Sequence, residues 1–463
     1  MKNRITFEMP KKSFLCVPVL FVSLWLGCAP LLPFLKEDSL PLPKEFPRED
    51  GSAESPSTAT QSWRDYFANP ELNSLIESGL KNNQELRILE QEIYIADNEV
   101  MARQGEYLPK LDFQSSYGFE KPSKYTSQGM SDEANQVPTH LQVGKVGLIA
   151  SWEVDVWSKL RSASKAAYFS YLSSIEGRKF LVTQLVSEIA NTYYELLALD
   201  NQLEIVRSYI EVLKRIKGMV ELQRSAGRTT SLAVKRFEAE VFKNESHQFQ
   251  LQQQIVVTQN RLNTWVGRFP QDFQRPSKQF LEMTLAKIDT GIPTSLLENR
   301  PDIKAASYEL EASKLSVASA KAKFYPALSI EGGVGFQSFN ATHFLDTPES
   351  IFYGLASNLT APLLNRQAIK AAYFSANNRQ IQAVYKYEQT LVKAYTEVVN
   401  QLSMIKNLSQ AYELKAKQVS ALNDAIRISN ILFQAARVDY IEALFTQRDS
   451  LEAQVELVET KKQ

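Results

Sequence analysis

Very little in this chain of 463 residues could make or break a bond. It has two cysteines, Cys16 and Cys28, and three histidines, His140, His247 and His343, which lie far apart. That spacing forms neither a Cys/His metal cage nor a disulfide framework. There is no GxxxxGK[ST] phosphate loop, no GxGxxG after a strand, no HExxH and no GxSxG. The residues therefore support no enzyme, no metal and no cofactor. Charge is balanced at 52 Lys+Arg against 52 Asp+Glu without a long basic run, so nucleic acid is not an expected partner.

The exception is Cys28. Lys2, Arg4, Lys11 and Lys12 precede the apolar run FLCVPVLFVSLWLGC at residues 14–28. A basic start, a short apolar core and a small residue at the end have the shape of a secretory signal, and the run is short for a membrane span. Leu26-Gly27-Cys28 resembles a bacterial lipobox, which would make Cys28 the acylated first residue of the mature chain. Trp25 and Leu26 depart from the usual lipobox residues, and Met9 offers a second start that leaves a compact signal. An ordinary signal cut nearby is the alternative. Ala29, behind the cysteine, resembles the outer-membrane sorting pattern.

What remains must be read from the elements. Nine of the 19 prolines lie in the first 70 residues, and residues 30–62 are too rich in Pro, Ser and Glu to pack; they read as a tether. Between Pro138 and Pro270 there is no proline, and beyond Pro362 neither Pro nor Gly, as long helices require. Within these stretches Ile175, Val182, Ile189, Leu196, Leu203 and Ile210 recur every seven residues. Val384, Leu391, Val398, Ile405, Tyr412, Val419, Ile426 and Phe433 do the same. Such a period describes helices packed as coiled coils.

Strands interrupt the helices. LPKLDFQSSYGF at 108–119 overlies YPALSIEGGVGF at 325–336 without a gap. Leu111, Phe113, Tyr117 and Phe119 alternate with small or polar residues, as do Leu328, Ile330, Val334 and Phe336. Return strands follow at Val146, Leu148, Ala150, Trp152 and Val154, and at Tyr353, Leu355 and Leu359. The hexapeptide KAAYFS occurs just after each return strand, at 165–170 and 370–375, and LQRSAGRTTSL at 222–232 matches LFQAARVDYI at 432–441. The chain is thus a tandem duplication of helix, strand, loop, strand, very long helix, turn and helix. Alternation of this kind suits a membrane β-barrel or a soluble sandwich equally. Four strands cannot close a barrel, and open edges are not tolerated in lipid, so the membrane reading demands more than one chain. The polar loops at 120–142 and 337–350 are then the outward tips.

From Trp63 onward the sequence resembles the outer-membrane efflux proteins, the TolC-like and OprM-like channels. The resemblance is carried by WRDYFANPELNSLI (63–76), the Asn83-x-x-Leu86 pair, YLPKL (107–111), GLIASWEVDVWSKLR (147–161), IPTSLLENRPDI (292–303) and AKFYPALSI (322–330). IPTSLLENRPDI is the most specific of these and marks the lipoprotein-type members. The resemblance implies a homotrimer whose chains give four strands each to one 12-stranded outer-membrane barrel, continued by a periplasmic α-helical coiled-coil barrel. It also implies a periplasmic adaptor (membrane fusion) protein and an inner-membrane pump of RND type as partners, besides outer-membrane lipid. The division of the chain is then a signal peptide at 1–27, a lipidated tether at 28–62 and two efflux-protein repeats at 63–290 and 291–463. The expected function is an exit duct that passively conducts small molecules from pump to exterior. The alternatives are a duct for type I protein secretion and a periplasmic coiled-coil lipoprotein without a pore.

The same resemblance places a periplasmic aperture in FQAARVDYIEALFTQ, residues 433–447. Ile441 matches the usual apolar constriction and Glu442 one acidic ring. Phe445 stands at the second acidic position and Ala436 at a glycine position, both departures from the family. An apolar seal with one anionic ring is expected from Ile441, Glu442 and Phe445, against the plainer reading of coiled-coil residues with Glu442 in solvent. Gly227-Arg228 matches the family's first turn. Arg228, Arg437 and Asp439 are candidate adaptor contacts.

Overall fold

The computed structural model describes residues 43, 61–283, 299–364, 366–435, 437–438 and 440–463. In chain order the elements are α1 (Trp63–Phe67), α2 (Pro70–Asn82), α3 (Gln84–Tyr107), β1 (Lys110–Glu120), α4 (Ser127–Ala134), β2 (Leu141–Val154), α5 (Lys159–Ser225) and α6 (Ser231–Val266). Then come α7 (Pro301–Ala322), β3 (Ala327–Ser338), β4 (Ile351–Thr360), α8 (Gln367–Gln434) and α9 (Tyr440–Lys462). The order α3-β1-β2-α5-α6 recurs as α7-β3-β4-α8-α9.

Local chemistry sets these boundaries. Asn69 caps α2 by accepting a hydrogen bond from Leu72 N at 3.0 Å, with Pro70 at the first helical position, where its missing N–H costs nothing. Asn83 of the Asn-x-x-Leu pair accepts from Leu86 N at 3.1 Å and donates to Trp265 O at 3.0 Å, which ties α3 to the end of α6. Pro109 and Pro326 end the helices before them, and each strand starts directly after its proline, which has no N–H for the ladder. The carboxylate of buried Asp155 accepts from Leu160 N at 3.0 Å and Arg161 N at 2.9 Å and so opens α5. From there α5 runs 67 residues and α8 runs 68, each about 100 Å at 1.5 Å per residue.

The described chain divides into two compact units. One comprises residues 93–174 and 305–388 and contains a single antiparallel sheet in the order β1-β2-β3-β4. The register pairs Phe113 with Leu148, Leu148 with Val334 and Val334 with Tyr353. Its small apolar core is Ala320, Phe324, Tyr373 and Ala376. The duplication shows here as a repeated clamp: Arg161 lies over the Tyr107 ring and Arg366 over the Phe324 ring, both 5.2 Å from the centroid.

The other unit is helical. Leu72, Leu75 and Ile76 of α2, Leu185 to Leu197 of α5, Leu262 and Val266 of α6 and Val458 of α9 form its main core. A second cluster gathers Tyr209, Leu213, Ile216 and Val220 of α5, Val234, Phe237 and Val241 of α6, and Phe433 and Ala443. Of the two seven-residue columns, Ile189, Leu196, Leu203 and Ile210 are buried, whereas Ile405 is 39% exposed within the chain. Both columns lie on long helices, but the described residues bury four members of the first, with Ile175 and Val182 half-buried, and only Leu391 and Phe433 of the second. The loop at 120–142, expected as plain polar chain, contains α4. Thr126 caps this helix by accepting from Gly129 N at 3.1 Å, a signal without apolar periodicity.

Candidate functional site

The sheet sorts its side chains by type. Partners across an antiparallel pair share a face, so the register fixes which residues stand together. One face carries Leu111, Phe113, Tyr117 and Phe119 of β1, Val146, Leu148 and Trp152 of β2, Leu328, Ile330, Val334 and Phe336 of β3, and Ile351, Tyr353, Leu355 and Leu359 of β4. Tyr353 is 85% exposed and Leu355 is 83% exposed. A patch of that size and continuity is not compatible with a water-facing surface. Aromatics mark both of its ends. Tyr117, Phe119, Phe336 and Tyr353 stand near the loops, and the Tyr117 hydroxyl donates to Gln142 Oε1 at 2.9 Å. Trp152 stands near the helices and donates from Nε1 to Tyr107 O at 3.1 Å. Aromatic girdles around an apolar band are the signature of an outer-membrane strand set.

The opposite face is mostly polar or bare: Lys110, Asp112, Gln114 and Ser116, then Lys145, Gly147, Ser151 and Glu153, then Ser329, Glu331, Gly333, Gly335 and Gln337, and finally Gly354, Ala356, Asn358 and Thr360, with Leu141, Val143 and Ile149 of β2 and Phe352 of β4 as its large apolar members. Glu153 pairs with Lys159 where β2 passes into α5. Among the described residues the edges of β1 and β4 have no partner.

At the other end of the long helices lie two turns. In the first, Gly227 has φ +73°, a left-handed conformation that side chains resist, and Arg228 N donates to Gln223 O at 2.9 Å. Arg228 is exposed. In the second, Arg437 N donates to Leu432 O at 2.9 Å and its side chain is exposed. Asp439 and Ala436 lie outside the described residues, as do Cys28, residues 1–42 and most of the 28–62 tether.

Ile441, Glu442 and Phe445 begin α9. Spacing of one and four residues brings them to one side of the helix, away from buried Ala443, Gln447 and Ser450. Glu442 and Phe445 are exposed and Ile441 is half-buried, and the Arg448 guanidinium lies 4.8 Å above the Phe445 ring. The same side continues through Asp449, Glu452 and Glu456, an acidic stripe that sequence reasoning missed although its spacing of three and four is readable. Behind the helix, α5, α8 and α9 enclose a cleft of about 690 Å³ lined by Tyr209, Ile216, Ile426, Phe433 and Leu451. Burial pushes the Tyr209 hydroxyl well above the ordinary phenol range, and among the described residues that hydroxyl has no hydrogen-bond partner.

The Arg300-Pro301-Asp302 part of IPTSLLENRPDI proves to be a clamp. Pro301 starts α7, and Asp302 accepts from Ile303 N at 3.0 Å. Arg300 donates to both Asp302 oxygens at 3.0 and 2.8 Å and to Glu397 of α8 at 2.9 Å. Its pKa is raised first by the Asp302 hydrogen bond. Residues 292–298 of the motif lie outside the described residues.

Comparison with known proteins decides what this arrangement belongs to. A family model described as outer membrane efflux protein matches residues 75–268 and 292–463. The chain belongs to the outer membrane efflux protein family. It is 27% identical over 394 residues to the pyoverdine export outer membrane protein OpmQ of Pseudomonas putida, covering 85% of this chain and 83% of OpmQ. It is 26% identical over 449 residues to the solvent efflux pump outer membrane protein SrpC of Pseudomonas putida, covering 95% and 91%. Among solved structures, the CmeC outer membrane channel of Campylobacter jejuni superposes with a TM-score of 0.83 at 19% identity, over 93% of this chain and 91% of CmeC. This efflux protein is therefore an outer-membrane component of transport, built as a sheet joined to long helices, in a family of ducts rather than catalysts.

Proposed function

We propose that three copies of this efflux protein assemble so that their sheets close one 12-stranded barrel and their helices form the periplasmic duct beneath it. The supporting observation is the sheet itself, which has one largely apolar face and, among the described residues, two unpaired edges. Backbone donors and acceptors left open in lipid cost several kcal/mol each, as an order of magnitude, and only neighbouring sheets can satisfy them. The polar face then lines a water-filled lumen. Small molecules delivered by an inner-membrane pump of RND type through a periplasmic adaptor leave by this lumen, with no energy input from the duct.

In this reading residues 1–27 are the signal, Cys28 bears the lipid, 28–62 is the tether, and 63–290 and 291–463 are the two repeats. Ile441, Glu442 and Phe445 narrow the periplasmic aperture, where three apolar side chains exclude water and three glutamates favour cations. Arg228, Arg437 and Asp439 offer contacts to the adaptor.

The test is reconstitution of purified protein in planar bilayers, with its mass measured in detergent. A trimer with ion conductance is expected, with larger conductance in Ile441→Ala and weaker cation preference in Glu442→Gln. A detergent-independent monomer without current would sink the duct. Unchanged conductance and selectivity in both variants would remove the aperture assignment alone. Labelled palmitate should enter the wild type and not Cys28→Ala.

A further inference from the structure

One aromatic breaks the polar face of the sheet. Phe352 stands in register with Gly335, which pairs with Gly147, which pairs with Gln114. No other residue of that face in the four strands is aromatic. The ring does not stand up from the sheet; it lies across the two neighbouring glycines. A Cβ built on Gly335 would come 2.9 Å from Phe352 Cε1 and 2.5 Å from Gly147 Cα, and one on Gly147 would come 3.2 Å from Phe352 Cζ. Two bare positions side by side thus form a shelf as wide as a phenyl ring.

The next row toward the loops is Ser116, Lys145 and Gln337. Lys145 Nζ lies 4.4 Å from the Phe352 centroid, within cation–π range. Among the described residues no carboxylate comes within ion-pair distance of Lys145. Acidic residues of this face gather toward the helices instead, at Asp112, Glu153 and Glu331, with Glu120 at the far end of β1. The rows of Lys145 and Phe352 therefore present a net positive charge beside an apolar plane.

We propose that Phe352 and Lys145 form a contact station on the wall of the duct for aromatic organic anions. The ring supplies a flat surface for stacking and the ammonium supplies the counter-charge. The glycine shelf keeps both against the wall, so the station grips solutes without narrowing the path. This inference rests on the polar face lining the lumen.

The experiment uses the full-length protein in nanodiscs, dialysed to equilibrium against 2-naphthalenesulfonate with empty nanodiscs as blank. Saturable binding is expected, weakened at least fivefold in Phe352→Leu and in Lys145→Gln and unchanged in Lys110→Gln, a cation of the same face two rows beyond Phe352. Methanesulfonate, which has the charge and no ring, should show no saturable binding. Lys145→Gln removes no core packing and carries the test alone should Phe352→Leu fail to assemble. Equal affinity in all variants, equal loss in Lys110→Gln, or no saturable binding to the wild type overturns the station. Bilayer current separates the two levels: a conducting wild type with indifferent variants removes the station only, and a wild type that neither conducts nor trimerises removes the duct.

Discussion

The two repeats bury the same kind of helix in different ways. Helix α5 places Ile189, Leu196, Leu203 and Ile210 inside cores completed by α2, α6 and α9 of the same chain. Helix α8 is one residue longer and has the same seven-residue period, yet Met404, Ile405, Leu414, Ile428 and Ile431 stand exposed. The hexapeptide KAAYFS shows the contrast at single-residue scale. In α5, Ala166 is buried and Tyr168 exposed; in α8, Tyr373 is buried against Phe324 with ring centroids 5.7 Å apart, and Ala371 is exposed. Identical residues thus have non-identical neighbours. Sequence repetition determines the elements, while burial depends on what lies beside them, and the described residues leave much of the second repeat's long helix uncovered.

The largest expected effect separates these two seams. Leu196→Ala should cost about 2–5 kcal/mol in denaturant titration, because it opens a cavity in a fully buried site. Ile405→Ala should change that titration little and instead lower the fraction of trimer in detergent. Equal effects of the two on stability would abolish the contrast. Next comes the sheet. Leu355→Arg should cost about 2–4 kcal/mol on the lipid side, whereas Ala356→Arg, one residue on and opposite Glu331 on the other face, should still yield heat-resistant oligomers on gels.

Arg300→Ala should cost about 1.5–3 kcal/mol, since it removes charge-assisted hydrogen bonds at a site where Arg300 and Asp302 are largely shielded. Glu397, more than half exposed, contributes the smaller share. Arg300→Lys should rescue little, because an ammonium cannot make the two-pronged contact. The smallest effect is expected at Tyr209→Phe, which deletes a buried hydroxyl that has no partner among the described residues and so should be neutral or slightly stabilising at pH 7. Because burial raises the pKa of Tyr209 in the folded state, its stability contribution is full below the unfolded phenol pKa of about 10 and declines as pH rises beyond it. Tyr209→Phe should flatten that alkaline decline in melting temperature, and an unaltered pH profile would refute the burial argument.

Much of the architecture was legible in the residues. Absence of Pro and Gly announced α5 and α8, and alternation announced four strands whose lengths and faces the sheet reproduces. Helix α4 was not legible, because its evidence is one Thr126–Gly129 cap inside a polar loop. The Arg300 clamp was visible only as a motif, since its partner Glu397 lies 97 residues on. Alternation with Leu355 and Leu359 already puts Tyr353 on the apolar face, but only the register sets Phe352 beside Gly335 and Gly147. Among the aperture candidates, placing Ile441, Glu442 and Phe445 on one side of α9 needed only helical spacing.

The outer edges of β1 and β4, which no described residue pairs, bear on how such a molecule is made. A solitary sheet has no resting place in the bilayer, because its lateral backbone groups would meet hydrocarbon. In the proposed trimer, entry into the membrane is then a group act, contingent on how many chains have met beforehand. Its rate should rise steeply with the local number of copies, and a cell that makes too few would accumulate helices in search of company rather than fewer finished pores.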